Sequence, residues 1–361
     1  MLVPVQIALD YRPAVHSHAG IARAVRQLAI ALAERDDIDL HLFAHSVTRA
    51  SSASRSPARA TLHRLPIPGR ALPLLSRLGL SAELLAGNPE VFHWTDYVHP
   101  PIGKARIVLT VHDLAFIHDE SWHGADAKIL LARTARAVSA AHTILVPSRA
   151  TQTDVQKTWP TARTTVIPFG SDHVPTTKGP QPFGGMPYVL CLGTIEPRKN
   201  HSALLAAFRQ LSTPRPLLVV VGRRGWEDAA IVEQLRAAQQ EGGVQWLPQA
   251  GDEEVFSLLA HAQLLVYPSL WEGFGFPPLE AMAFGVPVIA NDCAPMRELT
   301  DGAAVLCDAR SPAALSAAID RLLHDREARL RGSAAGRVRA ACFRWRDCAA
   351  AHARIYREVL K

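Results

Sequence analysis

Apolar residues along this chain fall in short runs, separated by longer stretches in which they recur at helical spacing. That alternation is the pattern of an α/β protein built on parallel sheets. In the first half, strand-like runs lie at residues 5–9, 40–43, 91–94, 106–111, 143–146 and 165–168. The amphipathic stretch 21–34 predicts the first crossover helix. A second series occupies 188–192, 217–221, 244–247, 264–267 and 286–290, and helices are predicted at 314–324 and 348–360. Residues 174–187, dense in Pro, Gly and Thr, read as a linker. The whole, 361 residues long, suffices for two domains. Even the strongest apolar runs, such as 217–221, are too short to cross a bilayer. Residues 1–10 lack a basic start and a cleavage site, so they read as a first strand and not as a signal peptide.

Composition narrows the classes. Hydrophobic residues make up 48% and charged residues 20%, as in an ordinary globular protein. A net charge of +6 and a pI near 9.3 suit anionic partners such as a nucleotide or a lipid head group. No basic stripe is interleaved with aromatics, so nucleic acid ranks last. Cys191, Cys293, Cys307, Cys342 and Cys348 are odd in number and form no C-x-x-C pair, which predicts reduced thiols in a cytoplasm.

The densest chemistry lies in residues 269–288, SLWEGFGFPPLEAMAFGVPV. The buried strand 264–267 precedes it, and Pro277 and Pro278 suit the first turn of a helix. This places Glu272 at a strand's C-terminal end and Glu280 in the first helical turn. Ligands bind at that edge of open α/β sheets. Amides at the helix start suit an anion, and two carboxylates suit a polyol. Taken alone, Glu280 reads equally well as a complement to the helix dipole.

As a whole, this stretch resembles the E-x7-E signature of the family-four retaining glycosyltransferases, and residues 283–290 match the family's next strand. The resemblance implies the GT-B fold: two Rossmann-like domains facing across a cleft, with a C-terminal helix crossing back to the first. The expected domains are 1–174 (acceptor-binding), a linker at 175–187, 188–342 (nucleotide-sugar-binding) and the returning helix 343–361. Residues 196–200, EPRKN, resemble a variant found in a subgroup with many mannosyltransferases. Lys199 matches the family's phosphate-binding lysine, and Asn200 reads as an N-cap. Many relatives place an arginine where this chain has Thr194, so the second cation falls to Arg198 first and Arg223 second.

By the same resemblance, Glu272 holds donor-sugar hydroxyls, Glu280 binds the ribose, and the amides near Gly273, Phe274 and Gly275 face the diphosphate. Gln249 lies in the loop expected to meet the nucleobase. Gly20 belongs to a loop that closes over the donor phosphate or faces the acceptor, or else simply starts a helix. His16 and His18 read as loop residues. His112 ends a buried strand, and in relatives a histidine there contacts the transferred sugar. Asp113 braces that imidazole or caps the next segment. Ser148 matches a serine of the family and reads equally as an N-cap. Asp37-Ile-Asp39 matches the D-x-D that binds metal in other transferases, but its place in a charged loop reads as coincidence. The resemblance implies no cofactor and no required metal.

The expected reaction is transfer of a hexose, with mannose from GDP-mannose favoured, to a hydroxyl of an undecaprenyl-linked glycan in O-antigen or exopolysaccharide synthesis. The expected location is the cytoplasm, at the inner face of the cytoplasmic membrane. Residues 64–80 mix basic and apolar side chains that suit an anionic bilayer. Acceptor choice is expected in loops 94–101 and 116–124. A UDP- or dTDP-sugar donor is the alternative within the family, and an inactive nucleotide-sugar-binding partner the alternative outside it.

Overall fold

A computed structural model describes residues 3–16, 20–45, 56–124 and 126–361. In the first half, strands β1 (Val5–Asp10), β2 (Ile38–His45), β3 (Ala60–Leu65), β4 (Val91–Trp94), β5 (Arg106–Thr110), β6 (Thr143–Val146) and β7 (Thr164–Val166) form one sheet in the order β3-β2-β1-β4-β5-β6-β7. The pairings are parallel, with Val5 opposite Ile38 and Val91 opposite Arg106. In the second half, β8 (Tyr188–Leu192), β9 (Leu217–Val221), β10 (Val244–Leu247), β11 (Leu264–Tyr267), β12 (Val288–Asn291) and β13 (Val305–Cys307) form a parallel sheet ordered β10-β9-β8-β11-β12-β13. Helices cover both faces, so central strands are buried on each side and read as unbroken apolar runs. Two edge strands, β3 and β13, were not predicted: β3 interleaves polar and apolar residues, β13 is only three residues long, and both are partly buried.

The chain divides into two compact units: residues 1–114, 128–170 and 344–361 form the first, and 115–127 with 171–343 the second. Segment 115–127, and with it the loop 116–124 expected in the acceptor domain, therefore belongs to the second unit. The helix Trp345–Glu358 starts three residues before the expected 348 and lies in the first unit, packed on the helix Gly20–Ala33. It buries Trp345, Ile355 and Tyr356, and the Tyr356 hydroxyl meets His93 Nδ1 at 2.8 Å. In the second unit, Val189, Leu204, Phe208, Leu218, Val220, Leu235, Val266 and Ile289 form a continuous core between the sheet and its helices. Each such side chain contributes about 1.5–3 kcal/mol on burial.

Strand order reverses once in each sheet, between β1 and β4 and between β8 and β11. Loops leaving the carboxyl ends on either side of such a point diverge and leave room for a ligand.

Candidate active site

The second unit's switch point is where the chemistry gathers. Gly193 follows β8, and the loop it opens is pinned to the end of β9 and the loop after it by Gly193 N donating to Val221 O (3.0 Å) and Ile195 N to Arg223 O (2.9 Å). The approach is so close that a Cβ on Gly222 would lie 1.8 Å from the Gly193 carbonyl oxygen, which only glycine tolerates. A short turn, Pro197–Lys199, then presents Arg198 and Lys199. Leu270 N donates to Arg198 O (2.9 Å), tying this turn to the loop leaving β11. Asn200 occupies the N-cap position of helix His201–Arg209, but its side chain does not cap: in a left-handed conformation (φ 58°), it donates from Nδ2 to Ala309 O at 2.7 Å.

Glu272 sits at the centre of this arrangement. Its Oε1 receives Lys199 Nζ, the Tyr267 hydroxyl (2.7 Å) and the Ser269 hydroxyl (2.5 Å), and its Oε2 lies 3.1 Å from Arg198 Nη1. Arg198 also donates to Trp271 O (2.7 Å) and to Glu196 Oε1 (2.9 Å). Glu196, Arg198, Ser269 and Glu272 are all buried. Burial alone would raise the Glu272 carboxyl; Lys199 and Arg198, helped by hydrogen bonds from Lys199 and Ser269, outweigh it and bring it down to about 2. Glu272 is therefore ionised throughout the neutral range. Glu196 goes the other way, because burial outweighs the attraction of Arg198 and Lys199. Burial together with the neighbouring Glu272 charge pushes the Tyr267 hydroxyl well up, so it remains a donor.

Glu280 requires a correction. Gly275 takes a left-handed φ of 111°, so the helix Phe276–Phe284 starts at Phe276 and Glu280 is its fifth residue, in the second turn and not the first. The carboxylate is wholly buried, with Oε1 2.9 Å from His173 Nε2. Pro277 and Pro278 occupy the second and third helical positions and bring no N–H, so the first turn offers fewer amides than a helix start ordinarily does. The amides of this turn belong to Gly273, Phe274, Gly275 and Phe276.

The other expected donor residues lie on loops at the same sheet edge. Thr194 is partly buried beside Gly225, while Arg223 after β9 and Gln249 after β10 are exposed. In the first unit, His112 follows β5 and its Nε2 lies 2.8 Å from Thr95 O. A carbonyl only accepts, so Nε2 carries the proton and Nδ1 holds the lone pair of the neutral ring. Burial keeps His112 below the usual histidine range. Asp113 receives the Tyr97 hydroxyl at its carbonyl (3.0 Å). Ser148 caps the helix Arg149–Thr158 by accepting from Thr151 N (3.1 Å), as the plainer reading has it. Gly20 is the first residue of its helix. His16 ends a short helix, Arg12–His16, instead of lying in a loop, and His18 lies outside the described residues. Asp37 is paired with Arg35 and Arg357. Among the described residues, no cluster of three His, Cys, Asp or Glu side chains is arranged to hold a metal.

Sequence reasoning missed Tyr267, Ser269, Glu196 and His173. A tyrosine closing an apolar strand looks like core, and His173 borders a segment that looks like linker.

Comparison with known proteins bears directly on this geometry. Residues 18–174 match the family described as Glycosyltransferase Family 4, and residues 176–339 match Glycosyl transferases group 1. The chain belongs to the family-four glycosyltransferases. This glycosyltransferase is 28% identical over 375 residues to O-antigen chain mannosyltransferase B of Escherichia coli, covering 95% of this chain and 97% of that one. It is also 34% identical over 137 residues to the serotype-specific mannosyltransferase WbdA of Escherichia coli, a match spanning 37% of this chain and 17% of that protein. Among solved structures, sucrose-phosphate synthase from Thermosynechococcus elongatus superposes with a TM-score of 0.76 at 22% identity, covering 99% of each chain. Anabaena HepE in complex with UDP and glucose superposes with a TM-score of 0.73 at 18% identity, again over 99% of each chain. These likenesses establish the GT-B fold of the glycosyltransferase.

Proposed function

We propose that this glycosyltransferase moves a mannosyl group from GDP-mannose, with retention of configuration, to a hydroxyl of a lipid-linked glycan in bacterial surface-polysaccharide synthesis. The observation that carries the reading is the cluster of Lys199 with the buried Arg198 and Glu272 at the second unit's switch point. Likeness over almost the whole chain to an O-antigen mannosyltransferase supports mannose. In the donor complex, Lys199 and Arg198 neutralise the departing diphosphate, whose charge grows as the bond to the sugar breaks. Glu272 is ionised and cannot donate a proton; its task is to accept hydrogen bonds from sugar hydroxyls. His112, with Nδ1 as its lone-pair nitrogen, also suits a hydroxyl donor. Glu280 is the ribose-binding carboxylate in this reading, and since His173 encloses it, ribose hydroxyls must open that cover. Thr194, Arg223 and Gln249 line the donor from their loops.

Retention follows from same-face displacement. The bond from C1 to the phosphate oxygen breaks while the acceptor oxygen bonds C1 on the same side, and the leaving phosphate takes the acceptor's proton. Side-chain cations carry the neutralisation, and no metal is invoked. The helices Leu72–Arg77 and Ala82–Leu85 and the turn between them expose Leu74, Leu78, Leu80 and Leu84 beside the exposed Arg77, which supports contact with an anionic bilayer holding the lipid-linked acceptor.

Thermal unfolding with GDP-mannose, GDP, UDP-glucose, UDP-GlcNAc, UDP and dTDP-rhamnose tests the donor, because a ligand of the native state raises its stability. The expected result is a rise confined to the guanine nucleotides. A rise confined to uridine or thymidine nucleotides would replace mannose and keep the transferase. No rise with any of them, together with no donor turnover, would point to an inactive partner.

A further inference from the structure

The two cations assigned to the diphosphate are already engaged by carboxylates. Lys199 and Arg198 both hold Glu272, and Arg198 also holds Glu196. Two positive and two negative side chains balance within this cluster, so neither of its cations is free to meet an anion unopposed. A diphosphate arriving beside Lys199 meets the Glu272 carboxylate as a like charge at close range. In a partly dehydrated site, that contact is costly.

We infer that Glu272 is a stand-in for the diphosphate: it keeps Lys199 and Arg198 paired until the donor arrives, yields them to it, and reclaims them to expel the nucleoside diphosphate after transfer. The inference rests on the donor-site reading above. Its geometric basis is the division of labour at one carboxylate. Cations reach both Glu272 oxygens, whereas the uncharged hydroxyls of Tyr267 and Ser269 hold Oε1 alone. Both hydroxyls come from the strand end and loop that carry Glu272 itself. They stay in place when the cations turn to phosphate, so the carboxylate keeps its position while its charge is released.

The sugar decides what happens next. With an intact donor, hydroxyls of the sugar replace the lost cations as partners for Glu272. Once the sugar has gone, the nucleoside diphosphate holds the cations while Glu272 has lost both cations and sugar. An uncompensated buried carboxylate is strongly unfavourable, and recapture of Lys199 relieves it. Glu272 thus favours the nucleotide sugar over the sugarless product at one site, and it does so without a moving lid. Tyr267 acts as a positioning residue, since its hydroxyl also receives Lys199 Nζ at 3.1 Å and marks the place to which the lysine returns.

Calorimetric titration of wild type, Glu272→Gln and Lys199→Met with GDP, UDP, dTDP, inorganic pyrophosphate and the nucleotide sugars GDP-mannose, UDP-glucose and dTDP-rhamnose tests this. Glutamine keeps the shape and removes the charge. Glu272→Gln is expected to bind the matching nucleoside diphosphate at least about tenfold more tightly than wild type, the effect of removing one like charge. The same variant is expected to bind the nucleotide sugar no more tightly than wild type. Lys199→Met is expected to lose affinity for pyrophosphate and for the matching nucleoside diphosphate. If Lys199→Met weakens binding but Glu272→Gln binds the diphosphate no better than wild type, the stand-in role is overturned and the donor site survives. If Lys199→Met has no effect, or if wild type binds none of the probes, the donor-site reading falls and takes the inference with it. A second measurement avoids variants: in a wild-type complex with the nucleoside diphosphate, Lys199 Nζ should have left Glu272, and a retained ion pair would overturn the proposal.

Discussion

Asp10 and Glu272 are both buried carboxylates at the ends of parallel strands or in the loops that follow, yet their acidities diverge. Two cations touch Glu272 and bring it down to about 2. Asp10 accepts from Arg12 N (3.1 Å), but burial outweighs the pull of the Arg12 charge, Asp96 adds repulsion, and the carboxyl rises to about 7. A carboxyl with a raised folded pKa binds its proton more tightly in the native state. Its contribution to stability is therefore complete below the ordinary aspartate range and is lost as pH rises through 7. Asp10→Asn should thus gain on wild type by about 1.4 kcal/mol per pH unit between roughly pH 4 and pH 7, and level off above. Paired urea denaturations at pH 5 and pH 8 read that difference directly, with the buried histidines His45, His93, His112, His201 and His352 common to both proteins; an equal gap at the two pH values would refute it. Sequence made Glu272, Arg198 and Lys199 legible because their spacing forms a motif. It hid the acidity of Asp10, which depends on what folds around it, and it misplaced Glu280 because the left-handed Gly275 sets where the helix starts.

Central strands, covered on both faces, were all legible; of the edge strands, β7 and β10 were legible and β3 and β13 were not. Burial is limited in residues 72–85 as well. Prolines argue against a long amphipathic helix there, and the chain makes two short ones, Leu72–Arg77 and Ala82–Leu85, the first with Pro73 in its opening turn. Short helices bury little, so Leu74, Leu78, Leu80 and Leu84 remain exposed. Should these leucines enter a bilayer, each contributes on the order of 1 kcal/mol or more. Vesicles containing phosphatidylglycerol are expected to float the wild-type protein, and Leu74→Gln with Leu78→Gln should leave most of it in the pellet while donor binding is unchanged. Equal flotation of both proteins would remove this surface from the membrane reading.

At the scale of the molecule, the order of the chain and the composition of the units disagree. The helix Trp345–Glu358 comes last in sequence, yet it belongs to the first unit, where Trp345 packs so closely on Gly170 that a Cβ there would lie 2.4 Å from the Trp345 nitrogen. Ending the chain at Phe343 removes the buried Trp345, Ile355 and Tyr356 and the bond from Tyr356 to His93, a loss of about 5 kcal/mol or more. Limited proteolysis should then degrade the first unit while residues 171–343 persist; equal resistance to the full-length protein would contradict this. Four chain crossings, after Leu114, Ala127, Gly170 and Phe343, interleave the two units. Hybrids between relatives, cut once near residue 175 where the two family matches meet, would inherit segment 115–127 from one parent and its packing partners from the other, and the last helix likewise. Recombination that respects this fold needs four junctions, so specificity in such enzymes should drift by point substitution more readily than by exchange of halves.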